Sequence, residues 1–132
     1  MSKEIILDDF AFLVSETDDK GFVKFANDDF CKIAGYQVDE IIGLNHNVVR
    51  HEDMPKIAFK QLWDTVKKGE TWSGYVKNKC RNGDYYWVYA TVFPFISCDG
   101  SGGYLSCRRK ASFEEINAHE VLYKTLVAQE KM

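Results

Sequence analysis

The chain has 132 residues, of which 45% are apolar, 14% aromatic and 28% charged, with a formal net charge of -3. One domain of this length buries roughly 65–70% of its unfolded surface, so a full core is within reach and disorder is excluded for most of the chain. A mildly acidic balance without a block of basic residues argues against a nucleic-acid partner, and the longest apolar runs are too short to span a membrane.

The opening Met-Ser-Lys-Glu reaches Asp8 and Asp9 without a secretory signal, so a cytoplasmic location is expected. Cys31, Cys80, Cys98 and Cys107 form no C-x-x-C pair, which leaves neither a zinc knuckle nor a thiol-redox motif. Reduced thiols acting as small hydrophobes are the expectation.

In chain order, the first nine residues read as a short lead-in helix or arm. Residues 11–17 alternate as a strand, Asp18-Asp19-Lys20-Gly21 supplies turn residues, and residues 22–26 return as the second strand of a hairpin. From Asn27 to Gly43 the pattern is helical in pieces broken at Gly35 and Gly43. Phe30, Ile33 and Ala34 share a face of the first piece, and Ile41 and Ile42 anchor the second.

A polar stretch containing His46, Asn47, Arg50, His51 and Glu52 follows. Asp53 reads as the N-cap of a helix with Pro55 in its first turn and Gly69 as its stop. Phe59, Leu62, Trp63 and Val66 form its core-facing stripe. Beyond Gly69 the period becomes two: residues 71–81 and 84–95 flank Asn82-Gly83, a dipeptide suited to a type I′ hairpin. Asp99-Gly100-Ser101-Gly102 turns into a last strand near residues 104–109, and Ser112 with Glu115 forms a capping box for a terminal helix. The order predicts an α+β fold, a five-stranded antiparallel sheet with helices covering one face and a C-terminal helix, and a pocket between sheet and helices.

Strand alternation puts Trp72, Gly74, Val76 and Asn78 on the inward face of the first long strand. A buried carboxamide without a partner costs about 1–3 kcal/mol. Asn78 therefore either bonds backbone near the hairpin end or addresses a ligand, and Gly74 either leaves room beside it or marks a bulge. A carboxamide presents a donor and an acceptor side by side, the complement of a planar heterocycle edge. Trp63 is either core or an aromatic wall for the same ligand. Arg50, His51 and the free N–H groups of a helix start suit an anion such as a pyrophosphate. His46, His51 and Asp53 have no metal-ligand spacing, and no nucleophile partners His51, so no hydrolase or transferase signature emerges.

The run Phe25-Ala26-Asn27-Asp28-Asp29-Phe30, followed by Gly35-Tyr36 and Glu40-Ile41-Ile42-Gly43, resembles the opening of a PAS domain. The stretch H-N-V-V-R-H-E-D-M-P (46–55) is far more specific. With Leu62-Trp63, K-K-G-E-T-W-S-G (67–74) and V-K-N (76–78), it is similar to the FAD-binding PAS domain of bacterial aerotaxis receptors over about residues 8–128. In that family, and in related flavin PAS domains of nitrogen-fixation redox regulators, a helix Trp and a strand Asn contact the flavin. Trp63 and Asn78 match those positions, and Asn27, Arg50, His51 and Asp53 match positions that matter for FAD binding. Light-sensing flavin PAS domains carry a Cys in a G-x-N-C run. Here Gly43-Leu44-Asn45 leads to His46, so cysteinyl photochemistry is not expected.

The resemblance implies a non-covalent FAD sensor of redox state or oxygen, as in aerotaxis or energy taxis, rather than an enzyme. It implies an arm or cap (1–10), a sensor domain (11–110) and a helical signalling connector (111–132). Ile116, Leu122 and Leu126 of the terminal helix are expected either to meet an output domain, a chemotaxis transducer or a second protomer, or to pack back on the sheet; no membrane contact by this segment is expected. Three rivals stay open: a haem sensor ligated by His46 or His51, a cofactor-free interaction module and a flavin enzyme. Phe30, Phe59, Trp87 and Phe93 are read as core, and Trp63 as the aromatic that faces the ligand.

Overall fold

The computed structural model describes residues 2–131. Its elements are β1 (Phe12–Asp18), β2 (Val23–Ala26), α1 (Asp28–Ala34), α2 (Val38–Ile41), a 3₁₀ turn over His46–Val49, α3 (Lys56–Lys67), β3 (Trp72–Lys79), β4 (Tyr85–Ile96), β5 (Gly102–Lys110) and α4 (Phe113–Glu130). The five strands pair antiparallel in the order β2-β1-β5-β4-β3, an α+β architecture in which the last strand of the chain occupies the middle of the sheet.

Local chemistry accounts for the element ends. Asn27 caps α1 by accepting from the Phe30 N–H at 3.0 Å, and it also ties the helix to β1, accepting from Val14 N–H and donating to the Phe12 carbonyl. Ser112 and Glu115 form the expected capping box at α4. α2 is a single turn, so its neighbours diverge: Ile41 is fully buried whereas Ile42 is exposed. The opening residues form an extended arm rather than a helix. Ile5 donates its N–H to the Tyr85 carbonyl and Lys3 accepts from Tyr85 N–H, continuing the sheet beyond the end of β5.

Two expectations about turns and caps are corrected. The β3–β4 turn is not type I′, because no described residue other than glycine has positive φ and Asn82 cannot then occupy a left-handed position. Asn82 instead accepts from the Asp84 N–H at 2.9 Å, and Gly83 (φ 96) alone takes the left-handed conformation that closes a longer loop. Helix α3 starts at Lys56, with Pro55 in the cap position and no side-chain cap from its own segment. Asp53 is not the cap because its carboxylate is engaged by Lys77.

Register divides the sheet into two faces. Leu13, Ser15 and Thr17 of β1, Val76 and Asn78 of β3, Tyr86, Val88, Ala90 and Val92 of β4, and Ser106 and Arg108 of β5 face inward, under α1, α3 and the 3₁₀ turn. The outward face carries Tyr75, Lys77, Trp87 and Tyr89, and α4 packs on its β3 side. Helices therefore lie on both faces at that edge. Tyr123 of α4 stacks on Trp87 with centroids 6.0 Å apart, Ile116 and Leu126 pack against the core, and Leu122 stays exposed.

Candidate cofactor site

A cavity of about 260 Å³ lies between the inward sheet face and the layer formed by α3 and the 3₁₀ turn. That is near the lower end for small-molecule sites and fits one planar ring system better than a whole dinucleotide. α3 brings Phe59, Leu62 and Trp63 to one wall because these positions lie on one stripe of an amphipathic helix. Val76, Ala90 and Val92 form the opposite, apolar wall. Gly21 and Tyr104 back the indole: Gly21 has φ 91 and a Cβ there would reach van der Waals contact with Trp63, and the Tyr104 ring meets the indole edge-on at 5.3 Å. Lys20, Asn47 and Arg50 also line the cavity and bring two cations to it, with the Arg50 guanidinium stacked 3.7 Å over Phe59.

The polar floor is concentrated in two strands. Asn78 is 3% exposed, and among the described residues its Nδ2 makes no hydrogen bond; the buried Tyr86 hydroxyl, directly across on β4, makes none either. An isolated antiparallel bridge pairs it with Arg50, so the polar segment after the 3₁₀ turn is pinned to β3 at this residue. Arg108 is 4% exposed and meets no carboxylate among the described residues. Its Nη2 donates to Ser15 Oγ at 3.0 Å and to His46 Nε2 at 2.9 Å, its plane lies over Phe30, and Nη1 has no partner. Because a guanidinium only donates, Nε2 of His46 is an acceptor and the proton of the neutral ring sits on Nδ1. Burial, with the Arg108 charge beside it, pushes His46 down to about 3, so the imidazole is neutral at physiological pH. Burial lowers Arg108 to about 10, which leaves it charged.

Asn78 Nδ2 and Arg108 Nη1, two buried donors on the cavity floor without a partner among the described residues, face apolar and aromatic walls and fit a planar ligand with acceptors along one edge. Among the described residues no cluster of His, Cys, Asp and Glu could hold a metal ion, and no cysteine lines the cavity.

The PAS fold family model matches residues 23–106. The chain belongs to the PAS family. Among curated proteins this PAS domain is 49% identical over 122 residues to the aerotaxis receptor of Escherichia coli K12, covering 92% of this chain and 24% of the receptor. It is 26% identical over 100 residues to the nitrogen fixation regulatory protein of Klebsiella pneumoniae, covering 75% of the chain and 20% of that protein. The chain thus spans about a quarter or less of these relatives. Among solved structures the dark state of the blue-light photoreceptor Aureochrome1 LOV superposes with a TM-score of 0.67 at 19% identity, covering 86% of each chain, which shows the shared fold.

Within the PAS domain the six residues singled out from the sequence separate into two groups. Trp63, Asn78 and Arg50 line the cavity; Asn27, His51 and Asp53 do not. Asn27 is the three-way tie between β1 and α1 already described. His51 is 8% exposed, accepts from the Asp53 N–H on Nδ1 at 3.0 Å, and meets the Tyr85 ring edge-on, away from the cavity. Asp53 receives a 2.8 Å hydrogen bond from Lys77 Nζ, and Lys77 directly precedes Asn78 and lies over the Tyr85 ring. The Lys77 hydrogen bond holds the Asp53 carboxyl below the usual carboxylate range. Gly74 opens no ligand space, since a Cβ there would come within 2.7 Å of the Trp72 indole, which fills the gap.

The Asp53–Lys77 pair clamps the segment before α3 onto β3. With the Lys77 side chain 10% exposed and Asp53 62% exposed, its worth falls between a surface and a buried pair. Asp53→Ala is expected to lower the unfolding free energy by about 1–2 kcal/mol in cofactor-free protein, read by urea denaturation. Unchanged stability would remove the clamp.

Arg108 and Tyr104 were not picked out by sequence reading. A signal for one of them exists: Arg108 and Arg109 are adjacent on a strand, and alternation obliges one of two neighbours to face the core. Phe59, read as core, is a cavity wall, and Trp87 lies on the opposite sheet face beneath α4.

Proposed function

We propose that this chain is an FAD-binding sensory PAS domain that registers redox state or oxygen and passes the signal to a partner, as in aerotaxis or energy taxis, rather than an enzyme. The observation that carries the reading is that two buried donors unpartnered among the described residues, Asn78 Nδ2 and Arg108 Nη1, lie on the floor of the cavity that Trp63 walls. The likeness to an aerotaxis receptor supports it.

In this reading Asn78 and Arg108 bind acceptors along the polar edge of the isoalloxazine, and Trp63, Val76 and Val92 exclude water from its faces. A bound flavin supplies reversible electron and proton uptake. Arg108, held by Ser15 and His46, places a fixed positive charge where electron density at that edge would rise, and neutral His46 holds the guanidinium in place by accepting its hydrogen bond. Lys20 and Arg50 suit the anionic tail of the dinucleotide. Asn27, His51 and Asp53 act by positioning the walls. The terminal helix leads to the partner, an output domain, a chemotaxis transducer or a second copy of the chain. The division into arm (1–10), sensor (11–110) and connector (111–132), cytoplasmic placement and a segment free of membrane contact belong to the same proposal; no described helix is long and apolar enough to cross a membrane.

The haem alternative is less well supported. His46 Nε2 is engaged by Arg108 and Ser15, and His51 lies off the cavity, so neither offers a free imidazole nitrogen to iron there. The test is the absorption spectrum of protein purified in the dark and released by acid. Structured flavin bands with FAD as the released nucleotide, reversible on photoreduction without oxygen, are expected. A Soret band, or no chromophore after incubation with FAD, would overturn the reading.

A further inference from the structure

Helix α3 leaves its first two amides, Lys56 and Ile57, without a cap from their own segment, because Pro55 stands in the cap position. Both are satisfied from far along the chain. Glu130, the last residue of α4, accepts from the Lys56 N–H on Oε1 and from the Ile57 N–H on Oε2, each at 3.1 Å. A carboxylate there also meets the positive end of the helix. Near its other end α4 is tied to β3: Tyr123 Oη donates to the Tyr75 carbonyl at 2.6 Å, Tyr75 Oη donates to the Glu115 carboxylate, and His119 packs on Tyr75 at 4.2 Å.

The terminal helix is therefore fastened to the two elements that form opposite sides of the cavity. α3 carries Trp63 two turns beyond the Glu130 bonds, and β3 carries Asn78 three residues beyond Tyr75. α4 lies on the outward face of the sheet and α3 on the inward face, so Glu130 joins them around the outer edge of β3. The two ties differ in exposure. Tyr123 is buried against Trp87, whereas Glu130 lies at the surface.

We propose that Glu130 is a positioning residue and the releasable latch between the cavity and the terminal helix. A change in the spacing of α3 and β3 that alters the cap also alters how the end of α4 is held, while Tyr123 remains the fixed point. By linkage, whatever the cavity holds biases α4 docking, and α4 docking biases affinity at the cavity by the same factor. The latch follows from the hydrogen bonds alone, and its response to cofactor rests on the flavin reading above.

Amide hydrogen exchange on the whole chain, with and without FAD, tests both parts, using wild type, Glu130→Ala and Glu130→Gln. Without FAD, Glu130→Ala is expected to exchange about fivefold faster at Lys56 and Ile57, the effect of losing a typical helix cap, with Glu130→Gln intermediate. In wild type, FAD should change exchange over residues 124–130 at least about twofold. In Glu130→Ala that response should vanish although FAD still binds. Unchanged exchange at Lys56 and Ile57 would overturn the latch, and so would an FAD response at 124–130 that is absent in wild type or survives in Glu130→Ala. A wild-type protein that takes up no FAD would refute the cofactor reading instead, and the Lys56 and Ile57 rates without FAD would then decide the latch on their own.

Discussion

Asn78→Ala is expected to weaken FAD binding by about 5- to 150-fold, the range of 1–3 kcal/mol for a buried hydrogen-bonding group, while leaving the cofactor-free fold as stable as before or slightly more so. The two effects part company because of one atom. Asn78 Nδ2 is buried without a hydrogen bond among the described residues, so the fold gains little from it and carries its desolvation cost. A residue that costs stability and serves a ligand is the usual signature of a binding site. Titration of FAD by fluorescence, alongside urea denaturation of the cofactor-free variant, measures both. If Asn78→Ala instead unfolds the protein and leaves flavin affinity unchanged, the carboxamide is structural. Trp63→Ala should also weaken binding, with Trp63→Phe recovering part of the loss, because the indole is a wall of the cavity rather than a donor to it.

Stability is expected to fall by about 2 kcal/mol between pH 7.5 and pH 5, with His46 as the principal cause. Its folded value is near 3 against an ordinary 6.5, the result of burial and of the neighbouring Arg108 charge. Over that interval the unfolded chain takes up a proton on this residue and the folded chain does not, so unfolding becomes more favourable as pH falls. The contribution is fully present above about 6.5 and is lost progressively toward 3. The groups around the ring leave no compensating carboxylate: Arg108 and Ser15 contact Nε2, and Phe30 meets the imidazole edge-on at 5.7 Å. His51, also lowered by burial and then by Lys77, adds in the same direction. His46→Gln should flatten most of this slope whatever it does to stability at neutral pH. Urea unfolding at several pH values reads the slope, and an unchanged slope in His46→Gln would place the titration elsewhere.

Much of the fold was legible because it is written in neighbouring residues. The capping box at Ser112 and Glu115, the stripe Phe59–Leu62–Trp63–Val66 and the inward parity of Val76 and Asn78 all rest on local periods of 3.6 or 2, and they fall where those periods put them. The same reasoning misplaced features that depend on a distant partner. Asp53 has the chemistry of a cap, yet Lys77 takes its carboxylate and Glu130 caps α3 in its stead. Asn82-Gly83 has the composition of a type I′ turn, but the Asn82 carboxamide bonds Asp84 and a wider loop results.

The site divides in the same way. By itself the sequence determined an α+β chain with a carboxamide on an inward strand face and an aromatic on the covering helix, because alternation and helical period need only near neighbours. Only the tertiary structure decided that the carboxamide and the indole line the same cavity with Arg50, that His51 and Asp53 turn toward Lys77 and Tyr85, and that Arg108 forms the cavity floor. Nothing near Arg108 in the chain tells the last strand to insert between β1 and β4. Once it does, the middle position covers it on both sides, and alternation aims the guanidinium at Ser15, His46 and the cavity. Strand order is set by contacts between residues far apart in the chain, and that is where local patterns carry no information.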